Sequence, residues 1–360
     1  MTKSEKITSM ISDKFFLPQY IYTDIYVKEG KLEKEFCDCF IEFSSVYIAI
    51  QIKERNENAA GSNEEWFEKK VVKKAKSQLK DTFSFYKNES NQIFSKSSEL
   101  VLDRTKEVFP VIVFLNNNLE QYKRIIYSES LDMVINIFSV SDFEVMLQTL
   151  KLPYDIISYL QYRLAFDPKE IGKLVFDDVN EDLTILSTPQ AEEDFAFMFL
   201  ARNYYKQVVA HELKEENITY YNDLVLQLNA SSGNIRSEFI EGLLCVDYYR
   251  AAKIAENWIK LLDLAKRDEF VFPYTITKDD RVYLFMVKPN RMSEEEFGQY
   301  LEFILIYRRY LHNAKTAHLI LISYAEQERW MIEIGEVALN NLAGYDEMVD
   351  KVVAAMETKE

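Results

Sequence analysis

Between Glu35 and Arg55 the chain reads EFCDCFIEFSSVYIAIQIKER, two alternating runs separated by a pair of serines. Alternation with a period of two belongs to β-strands, whose successive side chains leave opposite faces. The spacing therefore predicts strands over Glu35–Phe43 and Val46–Lys53, joined across Ser44-Ser45. In the first strand Phe36, Asp38 and Phe40 share one face, and Cys37, Cys39 and Ile41 share the other. In the second, Tyr47, Ala49, Gln51 and Lys53 share a face opposite Ile48, Ile50 and Ile52. The return strand thus carries the Gln51-Ile52-Lys53 triplet back beside Asp38. An acid inside FCDCF is costly without a partner, and a carboxylate next to a lysine on adjacent strands is a pairing able to hold a divalent metal.

Around this hairpin the pattern gives further elements. A helix is expected over Ser4–Lys14 with Ser4 as N-cap, then a strand over Tyr20–Val27 and a turn at Lys28-Glu29-Gly30-Lys31. A long helix begins near Glu64, where Phe67, Val71, Ala75, Leu79 and Phe83 recur at i, i+4, with Gln78 at the margin of that stripe. Val108–Leu115 is a continuous apolar run of the kind found in buried strands. Short strands at Ile125–Tyr127 and Val134–Ser139 and helical patterning over Ser141–Phe166, broken at Pro153, complete the first half. The acidic stretch Asp167–Asn180 reads as a domain boundary, giving domains over 1–166 and 167–360. Beyond it lie helices at Pro189–Lys214, Tyr220–Leu228 and Asn234–Arg267. A β-β-α-β-β stretch follows: strands Phe270–Ile276 and Arg281–Lys288, helix Ser293–Asn313, strands His318–Tyr324 and Trp330–Ile334. VYLFMVKPNR (Val282 to Arg291) echoes VYIAIQIKER, with Lys288 in the place of Lys53. A degenerate copy of the first domain and a chance likeness of short apolar strands are both open. The fold class is α/β to α+β, in two domains.

Composition removes several classes of function. No segment approaches the roughly 18 apolar residues of a membrane span, the first ten residues lack a secretory apolar core, and three cysteines do not build a disulfide framework. A reduced, cytoplasmic protein is expected. The eight glycines include no GxGxxG and no GxxxxGK[ST], and the three histidines are dispersed, which removes dinucleotide, P-loop and multi-histidine zinc sites. Net charge is −16, but Lys69–Lys80 reads KKVVKKAKSQLK, and taking its six lysines away leaves −22. Lys69, Lys70, Lys73, Lys74, Lys76 and Lys80 form a local basic patch on an acidic body, suited to restrained contact with phosphates. A solvated helix face is the alternative reading of the same run.

Phosphodiester hydrolysis needs charge neutralised on the phosphate and a water made reactive near neutral pH, and a hard cation on carboxylate, amide or backbone oxygens does both. Asp38, Gln51 and Lys53 are residues of that type. On these residues, and on the order α-β-β-β-α-β over 4–115, the chain resembles the PD-(D/E)XK (restriction-endonuclease-like) nuclease superfamily. Asp38 matches the family's aspartate and Lys53 its lysine. Gln51 replaces the acid of the triplet, as in Mrr-like members. The resemblance implies Mg²⁺ (or Mn²⁺) bound by Asp38 and Gln51, with Glu5 as a first-helix acid and Gln78 as a helper from the later helix. Since Gln51 is neutral, Glu5, Glu33 or Glu35 would have to add charge. The whole chain also resembles a group of bacterial proteins of unassigned activity. The implied function is a nuclease acting on DNA, in defence against foreign DNA. The alternative is an inactive nuclease-like scaffold that binds nucleic acid or a partner protein. A homo-oligomer or a partner held through the C-terminal domain is open in either case.

Overall fold

The computed structural model describes residues 15–29, 32–56, 60–96, 98–116, 118–119, 121–164, 186–187, 189–209, 214–233, 237–278, 280–325 and 329–339. The expected helix over Ser4–Lys14, the turn residues Gly30 and Lys31, and the boundary at Asp167–Asn180 lie outside them. Two compact units result, residues 1–213 with 233–249 and residues 214–232 with 250–360. Among the described residues no helix is long and apolar enough to cross a membrane. The chain is a mixed α/β protein in two parts, as its patterning implies.

In the first unit the alternating runs become β1 (Ile21–Glu29), β2 (Leu32–Phe43) and β3 (Val46–Glu54). Two three-residue strands, β4 (Ile93–Ser95) and β5 (Ser98–Leu100), precede β6 (Glu107–Leu115), the tiny β7 (Tyr122–Lys123), β8 (Ile125–Ser128) and β9 (Met133–Ser139). They build an eight-stranded sheet of order β5-β4-β1-β2-β3-β6-β9-β8, while β7 pairs with β10 (Leu186–Ser187). β1, β2 and β3 run antiparallel in succession, and β3, β6 and β9 are parallel. Parallel neighbours need a crossover, and between β3 and β6 it contains α1 (63–87).

The stripe Phe67, Val71, Ala75, Leu79 and Phe83 is buried as its spacing predicts, against Phe36, Phe40, Tyr47, Ala49, Ile112 and Phe114. Four residues turn an α-helix roughly 40° past a full turn, so a strict i, i+4 stripe would wind off the sheet. Phe67–Ala75 takes wider π turns, which absorb that drift before α-helix resumes at Lys76–Lys87. The helix starts where the Ser62 hydroxyl accepts from the Glu65 N–H. On the opposite sheet face, α2 (Val140–Leu150) and α3 (Pro153–Leu164) pack against β9, with Phe138 meeting Phe143 edge-on.

A buried ionic knot ties α4 (Pro189–Val209) to this unit. Glu192 is 0% exposed. It accepts from Tyr159 at 2.7 Å, from Arg163 at 2.9 Å, and from Arg124 through both Nε and Nη2. Burial alone would push the Glu192 carboxyl up, but Arg163 and Arg124 hold it below the usual range. Further along, α4 kinks at Tyr204, whose hydroxyl donates to Asp155 of α3 at 2.6 Å. Desolvation raises Asp155 to about 7, despite that bond.

The second unit holds a four-stranded sheet ordered β11 (Tyr274–Lys278), β12 (Arg281–Val287), β13 (Thr316–Ala325), β14 (Arg329–Ala338). β12 and β13 are parallel across the helix Glu294–His312, which opens on a capping box of Ser293 and Glu296. This repeats the β3–α1–β6 arrangement, and Lys288 stands just past the end of β12. It pairs with Glu294 at 3.0 Å and Glu333 at 3.6 Å.

Two expectations are corrected. The strand expected over Phe270–Ile276 begins at Tyr274, because Pro273 cannot donate to a ladder. The helix expected over Asn234–Arg267 is two, Glu238–Leu244 and Tyr248–Lys266, the first started afresh by the Ser237 hydroxyl on the Ile240 N–H.

Glu192→Ala leaves two buried guanidinium groups without their counter-charge and should lower stability by about 3–5 kcal/mol in urea unfolding. Asp155 is a carboxyl whose folded pKa is raised, so its contribution is present below the unfolded value and lost as pH rises towards 7. Stability should fall across that window by at most about 1.4 kcal/mol per pH unit, and Asp155→Asn should remove the slope in melting curves taken at each pH.

Candidate functional site

The site forms where the β2–β3 ladder ends. Backbone pairing runs from Phe43↔Val46 to Cys39↔Ile50, although both strands continue. In place of the next ladder bond, Asp38 Oδ2 accepts from the Ile52 N–H at 2.6 Å. A side chain has taken over a backbone acceptor's place, and this fixes the aim of the carboxylate.

Lys53 follows from the same face. Its Nζ lies 2.7 Å from the Ile52 carbonyl oxygen, 3.3 Å from Gln51 Oε1 and 3.6 Å from Asp38 Oδ2. The Asp38 and Lys53 side chains are 6% and 13% exposed, so this is no solvated strand end. Gln51 is 1% exposed. Desolvation lowers the Lys53 pKa below the ordinary lysine value, while Asp38 and Glu35 pull it back up and Lys74 lowers it further.

Glu35 joins through a bulge. Ile25 faces Cys37 but Tyr26 faces Glu35, which makes Phe36 the extra residue of β2. In a regular strand Glu35 and Asp38, three apart, would leave opposite faces. A bulge re-aims side chains locally, and Gln78 of α1 donates to Glu35 at 3.3 Å. The other end of that amide, Gln78 Oε1, is buried with no hydrogen-bond partner among the described residues. The Thr82 hydroxyl bonds the Phe36 carbonyl at the bulge and so anchors α1 to it.

The structure thus brings Asp38, Gln51 and Lys53 together and sets Gln78 on Glu35 beside them. Glu5 lies outside the described residues. Of the six lysines, Lys69, Lys70, Lys73, Lys74 and Lys80 are exposed and Lys76 is half-buried. Lys74 acts electrostatically on Lys53. Cys37 and Cys39 are each 1% exposed, and burial pushes the Cys37 thiol well up, which suits core residues. Sequence reasoning missed the Ile52 carbonyl, since every residue has one and its aim is invisible in a string of letters.

A carboxylate, an amide and a carbonyl oxygen converge on one positive group. These are hard donors of the kind that bind Mg²⁺ or Mn²⁺, and here they face a lysine ammonium. Among the described residues no three His, Cys, Asp or Glu side chains gather as a metal-ligand cluster.

Asp38→Ala should cost more stability than Asp38→Asn, by about 1–3 kcal/mol, because the asparagine oxygen can still accept from Ile52. Ile50→Ala, at a 0% exposed core position, should lose about 2–5 kcal/mol. Urea unfolding of the three variants reads both effects. An Asp38→Ala protein as stable as Asp38→Asn would refute the anchoring role.

No family model matches the chain, and no curated protein matches it. A solved structure, the small subunit of the heterodimeric restriction endonuclease R.BspD6I, is 12% identical over 55% of this chain and 88% of its own length, with a TM-score of 0.25. That likeness is too low to assign an activity, which has to be read from the site.

Proposed function

We propose that the chain is a metal-dependent nuclease that hydrolyses phosphodiester bonds in DNA, in the Gln-x-Lys form of the PD-(D/E)XK pattern. The observation that carries this reading is the convergence of Asp38 Oδ2, Gln51 Oε1 and the Ile52 carbonyl oxygen around one point, where Lys53 Nζ lies. Mg²⁺ or Mn²⁺ bound there supplies charge neutralisation at the scissile phosphate and an acidified water.

The protein's own residues do the rest. Asp38, held by the Ile52 N–H, supplies the charged ligand. Gln51 supplies a neutral one from a buried position. Lys53 counters negative charge as it develops on the phosphate. Gln78 holds Glu35 at the rim, Glu5 is the remaining candidate acid, and the lysines from Lys69 to Lys80 meet the phosphate backbone. A cytoplasmic role in defence against foreign DNA accords with this reading, with the second unit free to engage a partner or a second copy.

One observation favours the scaffold alternative. Gln51 stands where an acid would double the site's negative charge. Incubating purified protein with plasmid and linear DNA in Mg²⁺, Mn²⁺ or EDTA separates the two. Cleavage should require the cation and vanish in Asp38→Asn and Lys53→Ala. Neutralising Lys69, Lys73 and Lys74 should weaken DNA retention and flatten its salt dependence, by about 0.9 in log–log slope for each phosphate that is no longer neutralised. Cleavage that survives in Asp38→Asn would refute the site. DNA retention without cleavage, whatever the cation, would establish the scaffold.

A further inference from the structure

The three oxygens of the proposed cation position are all within 3.6 Å of one ammonium, which lies closest to the Ile52 carbonyl, at 2.7 Å. Two positive charges a few ångströms apart repel strongly in a partly buried site, so an ammonium and a divalent cation cannot share these three oxygens. Resting on the metal-site reading above, we infer that Lys53 is an internal place-holder: its ammonium fills the cation position in the metal-free protein, and a divalent cation binds by exchanging with it.

The displaced ammonium has a destination. Glu35 is the other carboxylate that acts on Lys53, and Gln78 holds it from α1 at 3.3 Å. The bulge at Phe36 lies next to Glu35 in β2, at a point where a strand can re-aim its side chains. Lysine has a flexible stem with rotatable donors, so the exchange needs no change in the strands. A charge also remains paired at both ends of it: the ammonium with Asp38 before, with Glu35 after. The binding-competent state is then a fraction of the metal-free population, and apparent affinity is reduced by that fraction. Removing the ammonium removes this penalty.

The test is Mn²⁺ binding by isothermal titration calorimetry on the full chain, with folding checked by circular dichroism. Lys53→Met, which keeps the apolar stem, should bind Mn²⁺ about tenfold or more tightly than the unmodified protein. It should do so even though it cannot cleave. Lys74→Met is the control for simple charge removal, since Lys74 acts on the same site from an exposed position. It should change affinity little, and less still in added salt. Asp38→Asn should abolish binding in either background. Equal or weaker binding by Lys53→Met, or an equal gain in Lys74→Met, would overturn the exchange while Asp38-dependent binding kept the site itself. Absence of Mn²⁺ binding in both the unmodified protein and Lys53→Met would overturn the exchange together with the metal-site reading. Binding by Lys53→Met alone would support the place-holder in its strongest form.

Discussion

The bond from the Ile52 N–H to Asp38 is the constraint on which the site depends. Two antiparallel strands that continued to pair would leave no opening between them. Here the ladder stops at Cys39↔Ile50, and a carboxylate replaces the missing backbone acceptor. The buried N–H is satisfied, as it must be, and an apolar sheet gains a charged group at a defined point. The Ile52 residue bridges the two halves of the arrangement, with its N–H given to Asp38 and its carbonyl facing Lys53.

How much of this was legible in the sequence depends on the range of the interaction involved. β2 and β3 are read from alternation, and the buried face of α1 from its i, i+4 stripe, because each follows from neighbours a few residues apart. The placement of Asp38 near Gln51 and Lys53 follows from hairpin geometry in the same way. The bulge at Phe36 does not, since FCDCF alternates smoothly with or without an extra residue. Strands β4 and β5, three residues each, are too short to show a period. The knot of Arg124, Tyr159, Arg163 and Glu192 joins residues up to 68 positions apart, and nothing local marks any of them as buried. The wider turns of α1 are hidden for a different reason. An i, i+4 stripe reads as helix whether its turns hold α or π bonding.

Charge is managed differently in the two buried clusters of the first unit. Around Glu192 two guanidinium groups share one carboxylate, which also accepts from the Tyr159 hydroxyl, and all four side chains are buried. Around Asp38 the partners are fewer, the lysine is flexible, and a rim of Glu35, Gln78 and Lys74 adjoins the exposed lysines of α1. A closed network rigidifies, while an open one of mixed neutral and charged oxygens retains the capacity to exchange partners. The acidic composition of the chain as a whole is compatible with this, because six lysines with no acid between them are gathered in one stretch of α1, Lys69–Lys80.

If the proposed metal site holds, the pairing of Lys53 with Asp38 bears on the life of the protein when metal is scarce. Proteins whose buried carboxylates depend on a cation for neutralisation tend to unfold once it is withdrawn, and proteases then remove them. A chain with its own counter-charge keeps its shape through such a shortage. It would lie dormant and intact, with function restored by a change in ion supply and no new synthesis required.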